Sequence, residues 1–274
     1  MRQISAISIL MSAALVAVLA EPAASATTYC PRVLHRATRL IIITVPTMDG
    51  TKATMRTFVR KSPASSWKPE GTPESAVVGA NGIGWGGPFI HLARRGEPIK
   101  QEGDKRTPAG LYRLGATFGF DKSDRPGHLQ LKPEAHFCVH DTRSAHYGRI
   151  MERSKAGEKT SGENMASVPL YRRGIVIEYP PLRRSKAGSC VFLHVWGGDG
   201  VGTAGCVGLP EERVKHLQEW IEGRHAVIGV VMEDAVSRFG DCLPLETGVS
   251  RQEPPAALPL PHPRRAGQRA DLAR

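Results

Sequence analysis

Residues 190–210 read CVFLHVWGGDGVGTAGCVGLP. Alternation along CVFLHV places Cys190, Phe192 and His194 on one face of a strand, and Val191, Leu193 and Val195 on the other. A loop of small residues, Gly197 to Gly202, then delivers Thr203-Ala204-Gly205-Cys206 just ahead of a helix. A thiol between Gly205 and Val207 is expected to have exposed N–H groups and a positive helix end close by. Both favour thiolate over thiol, and a nearby imidazole takes the proton. Cys206 is therefore the candidate nucleophile and His194 the candidate base, with the N–H groups of Gly205 and Cys206 as oxyanion donors. The bland alternative is a buried structural cysteine beside a core histidine.

Outward from this segment the chain reads as mostly strand. Leu40 to Val45 (LIIITV), Ala53 to Val59, Gly174 to Tyr179, Cys190 to Val195 and Ala226 to Met232 are short, rich in β-branched residues, and bounded by turn formers or charges. One helix stands out, from about Pro210 to Glu222. It has Pro at its first turn, Glu211 and Glu212 at its positive end, an apolar stripe of Val214, Leu217 and Ile221, and Gly223 as a stop. The Gly-rich stretch from Asn81 to Gly119 reads as turns. Its Gly82-Ile83-Gly84-Trp85-Gly86-Gly87 string lacks the strand-then-helix setting of a phosphate loop, which argues against nucleotide binding.

The 274 residues carry 41% hydrophobic content, suited to one sizeable core. Met1 to Ala26 has a basic start, an apolar stretch from Ile4 to Ala20 and a small-x-small end at Ala24-Ser25-Ala26, predicting a signal peptide cleaved after Ala26. The mature chain is then exported, to the periplasm or cell envelope, with no stable membrane span. Residues 27–39 read as a lead-in, 40–235 as the catalytic domain and 236–274 as an extension, with a flexible Pro/Arg-rich tail from about 250. The net charge of +11 suits a polyanionic surface such as cell wall. The arginine pairs (Arg94-Arg95, Arg172-Arg173, Arg183-Arg184, Arg264-Arg265) lack aromatic interleaving or a groove-reading motif, so nucleic acid is not an expected partner. Five cysteines in an oxidising compartment leave at least one thiol unpaired. If that one is Cys206, then Cys30, Cys138, Cys190 and Cys242 allow three pairings.

A second constellation, His136-Phe137-Cys138-Val139-His140-Asp141, puts His136, Cys138 and His140 on one strand face. The outer two stand about 13 Å apart, too far to share one ion without bending, so no metal is expected. His140 and Asp141 are instead candidates for the substrate side. Trp196 is a candidate cleft wall, and Asp199 reads as a turn residue more than as an orienter of His194.

These residues resemble the L,D-transpeptidase catalytic domain, the YkuD-like family. Its signature is a His at a strand end, a Gly-containing loop, then Ser/Thr-x-Gly-Cys and an apolar residue, matched here by His194, Gly197 to Gly202, Thr203-Ala204-Gly205-Cys206 and Val207. Asn81 to Trp85 and Gly103 to Tyr112 also look like segments of one branch, so the likeness covers roughly residues 40–235. Two positions depart from most members: Ala204 replaces a His before Gly-Cys, and Gly208 replaces Arg or Asn. The resemblance implies a β-sandwich with one supporting helix after the catalytic cysteine, no cofactor, and a monomer acting on peptidoglycan stem peptides, in wall biosynthesis and cell shape. It further implies that Cys206 forms a thioester at the third residue of a stem tetrapeptide and passes it to an amine as a 3–3 cross-link, with Thr203 on the substrate side. Resolution by water would make the same site a carboxypeptidase or amidase, and loss of activity would leave a wall-binding module.

Overall fold

A computed structural model describes residues 30–182, 184 and 186–244, so the expected signal peptide, Arg183, Arg264, Arg265 and the tail from about 250 lie outside the described residues. At its centre, β1 (Arg39–Val45) runs parallel to β13 (Ala226–Met232) and antiparallel to β2 (Lys52–Val59). Every residue of β1 after Arg39 is buried, as are those of β13 before Met232. A strand covered on both faces needs a continuous apolar run rather than alternation, and LIIITV and AVIGVV are such runs.

From β2 the sheet continues through β3 (Lys68–Val77), β12 (Val207–Leu209), β11 (Phe192–Val195) and β10 (Arg173–Ile177). From β13 it continues to β5 (Thr107–Gly119), which also pairs with β10. That last pairing closes the sheet on itself. Two short strands, β4 (Ile83–Trp85) and β6 (Leu129–Gln130), attach to β5 outside the ring. The protein is thus mostly β as expected, but the main sheet is a closed, barrel-like ring and not a sandwich. The element that makes the difference is β5: Gly110 to Arg113 pair with β13, and Leu114 to Gly119 pair with β10.

The glycines of this stretch suggest turns, yet Thr107 to Gly119 is one continuous strand. Gly110 sits inside the strand at φ +139°, where an added Cβ would lie 2.3 Å from Phe89 and 2.7 Å from the Tyr112 hydroxyl. There glycine marks close packing within a strand rather than its end.

A separate three-stranded sheet, β8 (Ile150–Met151), β7 (Phe137–Val139) and β9 (Gly162–Asn164), stands beside the ring, with one helical turn, α1 (Arg153–Ala156). The expected helix is α2 (Glu211–Trp220), in which Val214 and Leu217 are fully buried and Ile221 caps the end. It covers the seam where β5 meets β10. Its Gln218 donates to the carbonyls of both Phe118 and Gly174 at 2.9 Å, and Arg172 and Arg173 hold Glu211 at 2.7 and 3.4 Å. The arginine pair is therefore part of the seam. Among the described residues no helix is long and apolar enough to cross a membrane.

Of the three pairings open to the sequence, the structure has Cys30–Cys242 and Cys138–Cys190. Two disulfides are the state expected of an oxidising compartment. Cys206 remains a free thiol.

Candidate functional site

Strands β11 and β12 lie parallel, with Leu193 opposite Val207 and His194 opposite Gly208. Leu193, Val195, Val207 and Leu209 point into the main core. The alternation read from the sequence therefore turns Phe192, His194 and Cys206 to the other face, where a smaller cluster gathers Phe118, Cys138, Tyr171, Phe192 and Cys206. On its other flank His194 faces Gly174, so the imidazole lies between two glycines. At Gly208 a Cβ would come within 2.7 Å of Val77 and 3.0 Å of the Trp196 Cβ, which accounts for the missing side chain at this position. Trp196 packs here, on β12, and is not part of the pocket wall described below.

The backbone at Cys206 is held by hydroxyls. Its carbonyl accepts from Thr203 Oγ1 at 2.7 Å and from Thr107 Oγ1 at 2.9 Å, and Thr107 in turn accepts from Gly79 N–H at 2.8 Å. Gly205 N–H donates to Thr203 Oγ1 at 3.1 Å. Of the two oxyanion donors read from the sequence, Gly205 is thus engaged, whereas Cys206 N–H has no partner among the described residues. Thr203 serves the turn that shapes the Cys206 backbone.

Burial pushes the Cys206 thiol up to about 12, against the low value expected from the sequence. The reason is geometric: the thiol is enclosed in the apolar cluster, and α2 begins only at Glu211, so its positive end is not at the sulfur. Phe192 N–H donates to Sγ at 3.4 Å, and the thiol faces Cys190 O at 3.6 Å. His194 is also buried, which lowers its imidazole to about 4. Its Nδ1 lies 2.7 Å from Val195 O. A carbonyl only accepts, so Nδ1 carries the proton and Nε2 is left as a free acceptor. Thiol and imidazole therefore both rest neutral. No hydrogen bond joins them among the described residues. Instead the Tyr171 ring packs edge-on against His194, with centroids 5.0 Å apart.

Cys206 opens on a pocket of about 420 Å³ whose walls include Lys100, Glu102, His140, Glu163 and Tyr171. Of the substrate-side residues expected from the sequence, His140 is on this wall. Asp141 is not: its carboxylate accepts from Arg143 N–H at 2.9 Å and Nε at 3.2 Å, closing a local turn. Asp199 forms a surface pair with Lys52 at 3.5 Å, and the hydrogen bond of His194 goes to Val195 O instead. The Cys138–Cys190 bridge joins β7 to the chain entering β11, which sets the small sheet over the thiol. It also takes up the sulfur of Cys138, the middle residue of the His136, Cys138, His140 strand face. Tyr171, Glu163 and Lys100 carried no sequence signal. Tyr171 Oη donates to Glu163 Oε2 at 2.8 Å, and buried Lys100 donates to Gln101 O at 2.6 Å and pairs with Asp104.

The chain is similar in structure to the helical cell shape determining protein Pgp2 from Campylobacter jejuni, at 16% identity over 71% of this chain and 48% of that one, with a TM-score of 0.38. It is also similar to Bd1075 from Bdellovibrio bacteriovorus, at 17% identity over 71% of this chain and 48% of that one, with a TM-score of 0.35. The chain spans about half the length of each. No protein-family model matches it, and no curated protein matches its sequence.

Proposed function

We propose that this is an exported cysteine acyl-transferase of the cell wall, an L,D-transpeptidase that takes a peptidoglycan stem peptide as acyl donor. The observation that carries the reading is that Cys206, the thiol left free by both disulfides, opens on a pocket and shares a strand face with a histidine whose Nε2 is free to accept a proton. Because thiol and imidazole rest neutral, deprotonation accompanies attack. As Sγ bonds to the donor carbonyl carbon, the S–H proton passes to His194 Nε2. The tetrahedral oxyanion takes the unpartnered N–H of Cys206. Collapse expels the terminal amino acid, whose amine takes the proton from His194, and leaves a thioester. An incoming amine then repeats the sequence in reverse and frees the thiol. The separation of His194 from the sulfur closes when substrate fills the pocket, as catalytic hydrogen bonds commonly tighten only in the complex.

The test is to incubate the protein, and a Cys206→Ala variant, with a purified disaccharide tetrapeptide and follow protein and products by mass spectrometry. The expected result is loss of the terminal residue, an acyl adduct on Cys206 and cross-linked dimers, all absent from the variant. Tripeptide without dimers would replace transfer by hydrolysis. Neither adduct nor product from folded protein with a reduced Cys206 would defeat the reading and favour a wall-binding module.

A further inference from the structure

Behind the candidate nucleophile lies a polar pair in an otherwise apolar cluster. Tyr171 is buried with Phe118, Phe192 and Cys206, and its ring is edge-on to Phe192 and His194. Its hydroxyl donates to Glu163 on β9, and both residues line the pocket of Cys206. Glu163 has no cationic partner among the described residues, so its charge is not cancelled locally. The other charged and titratable groups facing the pocket are differently placed. Lys100 is paired with Asp104, and Glu102 accepts from Tyr147 Oη at 2.6 Å and Ser189 Oγ at 2.7 Å. Lys105 and His140 lie at the exposed rim, and His194 stands beyond the Tyr171 ring.

A phenol has one proton to donate. While Tyr171 gives it to Glu163, that proton is not on the sulfur, and the carboxylate stands on the same pocket as Cys206. We propose that Tyr171 and Glu163 are a positioning pair for Cys206: the carboxylate adds to burial in disfavouring the thiolate at rest, and the phenol hydroxyl turns from carboxylate to sulfur as the thiolate forms. This rests on the reading of Cys206 as the nucleophile. The proton balance is simple. The Cys206 S–H bond breaks, a His194 Nε2–H bond forms, and the Tyr171 O–H bond stays intact while its hydrogen bond changes acceptor. Burial and the neighbouring carboxylate hold the phenol far above its ordinary range, so it stays protonated throughout. Burial is what chiefly raises the thiol; Glu163 adds to it and Tyr171 opposes it, in keeping with opposed roles.

The test is the rate of Cys206 alkylation by iodoacetamide across pH 6 to 10, read by mass spectrometry on the folded, disulfide-bonded protein without any wall peptide. A change of one unit in the thiol shifts its thiolate fraction, and so the rate, about tenfold. Glu163→Gln is expected to raise the rate at fixed pH by about tenfold, Tyr171→Phe to lower it by about tenfold, and Glu163→Asp to stay near wild type. Unchanged rates in both would overturn the pair. So would slowing in both, which would instead indicate a proton relay through the phenol to the carboxylate. Should Tyr171→Phe loosen the fold, Glu163→Gln at its half-buried position decides alone, since an unchanged or lower rate there contradicts the proposal. Because no wall peptide is present, failure here is distinct from failure of the transpeptidase assay.

Discussion

Thr107 offers a direct test of how the Cys206 backbone is held. It is fully buried, and its hydroxyl links Gly79 N–H (2.8 Å) to Cys206 O (2.9 Å). Thr107→Val keeps the shape and removes both bonds. Cys206 O retains Thr203 Oγ1 at 2.7 Å, so its loss is partial, whereas Gly79 N–H is left buried without an acceptor. An orphaned buried donor costs about 1–3 kcal/mol and a lost hydrogen bond about 1 kcal/mol net, so the expected destabilisation is about 2–4 kcal/mol. For a domain of this size that lowers the melting temperature by roughly 5–15 °C. Urea denaturation of Thr107→Val, with Thr107→Ser as the control that keeps the hydroxyl, measures it. Thr203→Val removes the other donor to the same carbonyl, and only the double variant leaves that oxygen without either. The double is therefore expected to exceed the sum of the singles by at least about 0.5 kcal/mol. A Thr107→Val protein within about 0.5 kcal/mol of wild type, or strictly additive variants, would refute the shared-carbonyl picture.

Three further outcomes follow from the geometry. Gly208→Ala places a Cβ 2.7 Å from Val77 and is expected to cost about 1–3 kcal/mol, and an unchanged denaturation midpoint would contradict that packing. His194 is held to about 4 in the folded protein but titrates near 6.5 when unfolded, so the unfolded chain binds more protons between those values. Stability should then fall as pH drops from 6.5 to 4, by up to about 3 kcal/mol, and a His194→Gln variant with an equally steep fall would refute the assignment. Non-reducing peptide mapping should find Cys30–Cys242 and Cys138–Cys190 with Cys206 free. Replacing both members of the first pair by Ser, across a separation of 212 residues, should cost about 5 kcal/mol in guanidinium unfolding, and a loss under about 1 kcal/mol would count against it.

What the sequence made legible was what local pattern encodes. The run AVIGVVM is β13 residue for residue, and LIIITV is β1 but for its first residue, because strands buried on both faces must be continuously apolar. Strand β3 escaped notice since KPEGTPES is polar and almost wholly exposed, held by its ladder to β2 and not by burial. Strand β5 was hidden by glycines that serve close packing, and with it went the ring closure, which depends on pairing Gly119 with Arg173, far apart in the chain. The same division runs through the site. Cys206 and His194 sit in one short segment with a readable alternation. Tyr171 and Glu163 come to the pocket of Cys206 from a 3-10 turn and from the separate sheet, and no spacing in the sequence announces either. The expected low thiol value failed for a related reason: exposure and distance from a helix end are properties of the packed cluster.

The Cys30–Cys242 bond also settles how this body answers to a pull. It joins the first described residue to the end of the last helical turn, so tension applied to the chain on either side crosses from one sulfur to the other and bypasses the strands between them. Stretching from the two ends cannot shear β1 from β13 or peel the ring open unless that bond is first reduced. The pocket of Cys206, built inside the bypassed stretch, would keep its shape while whatever is attached at the ends is drawn taut.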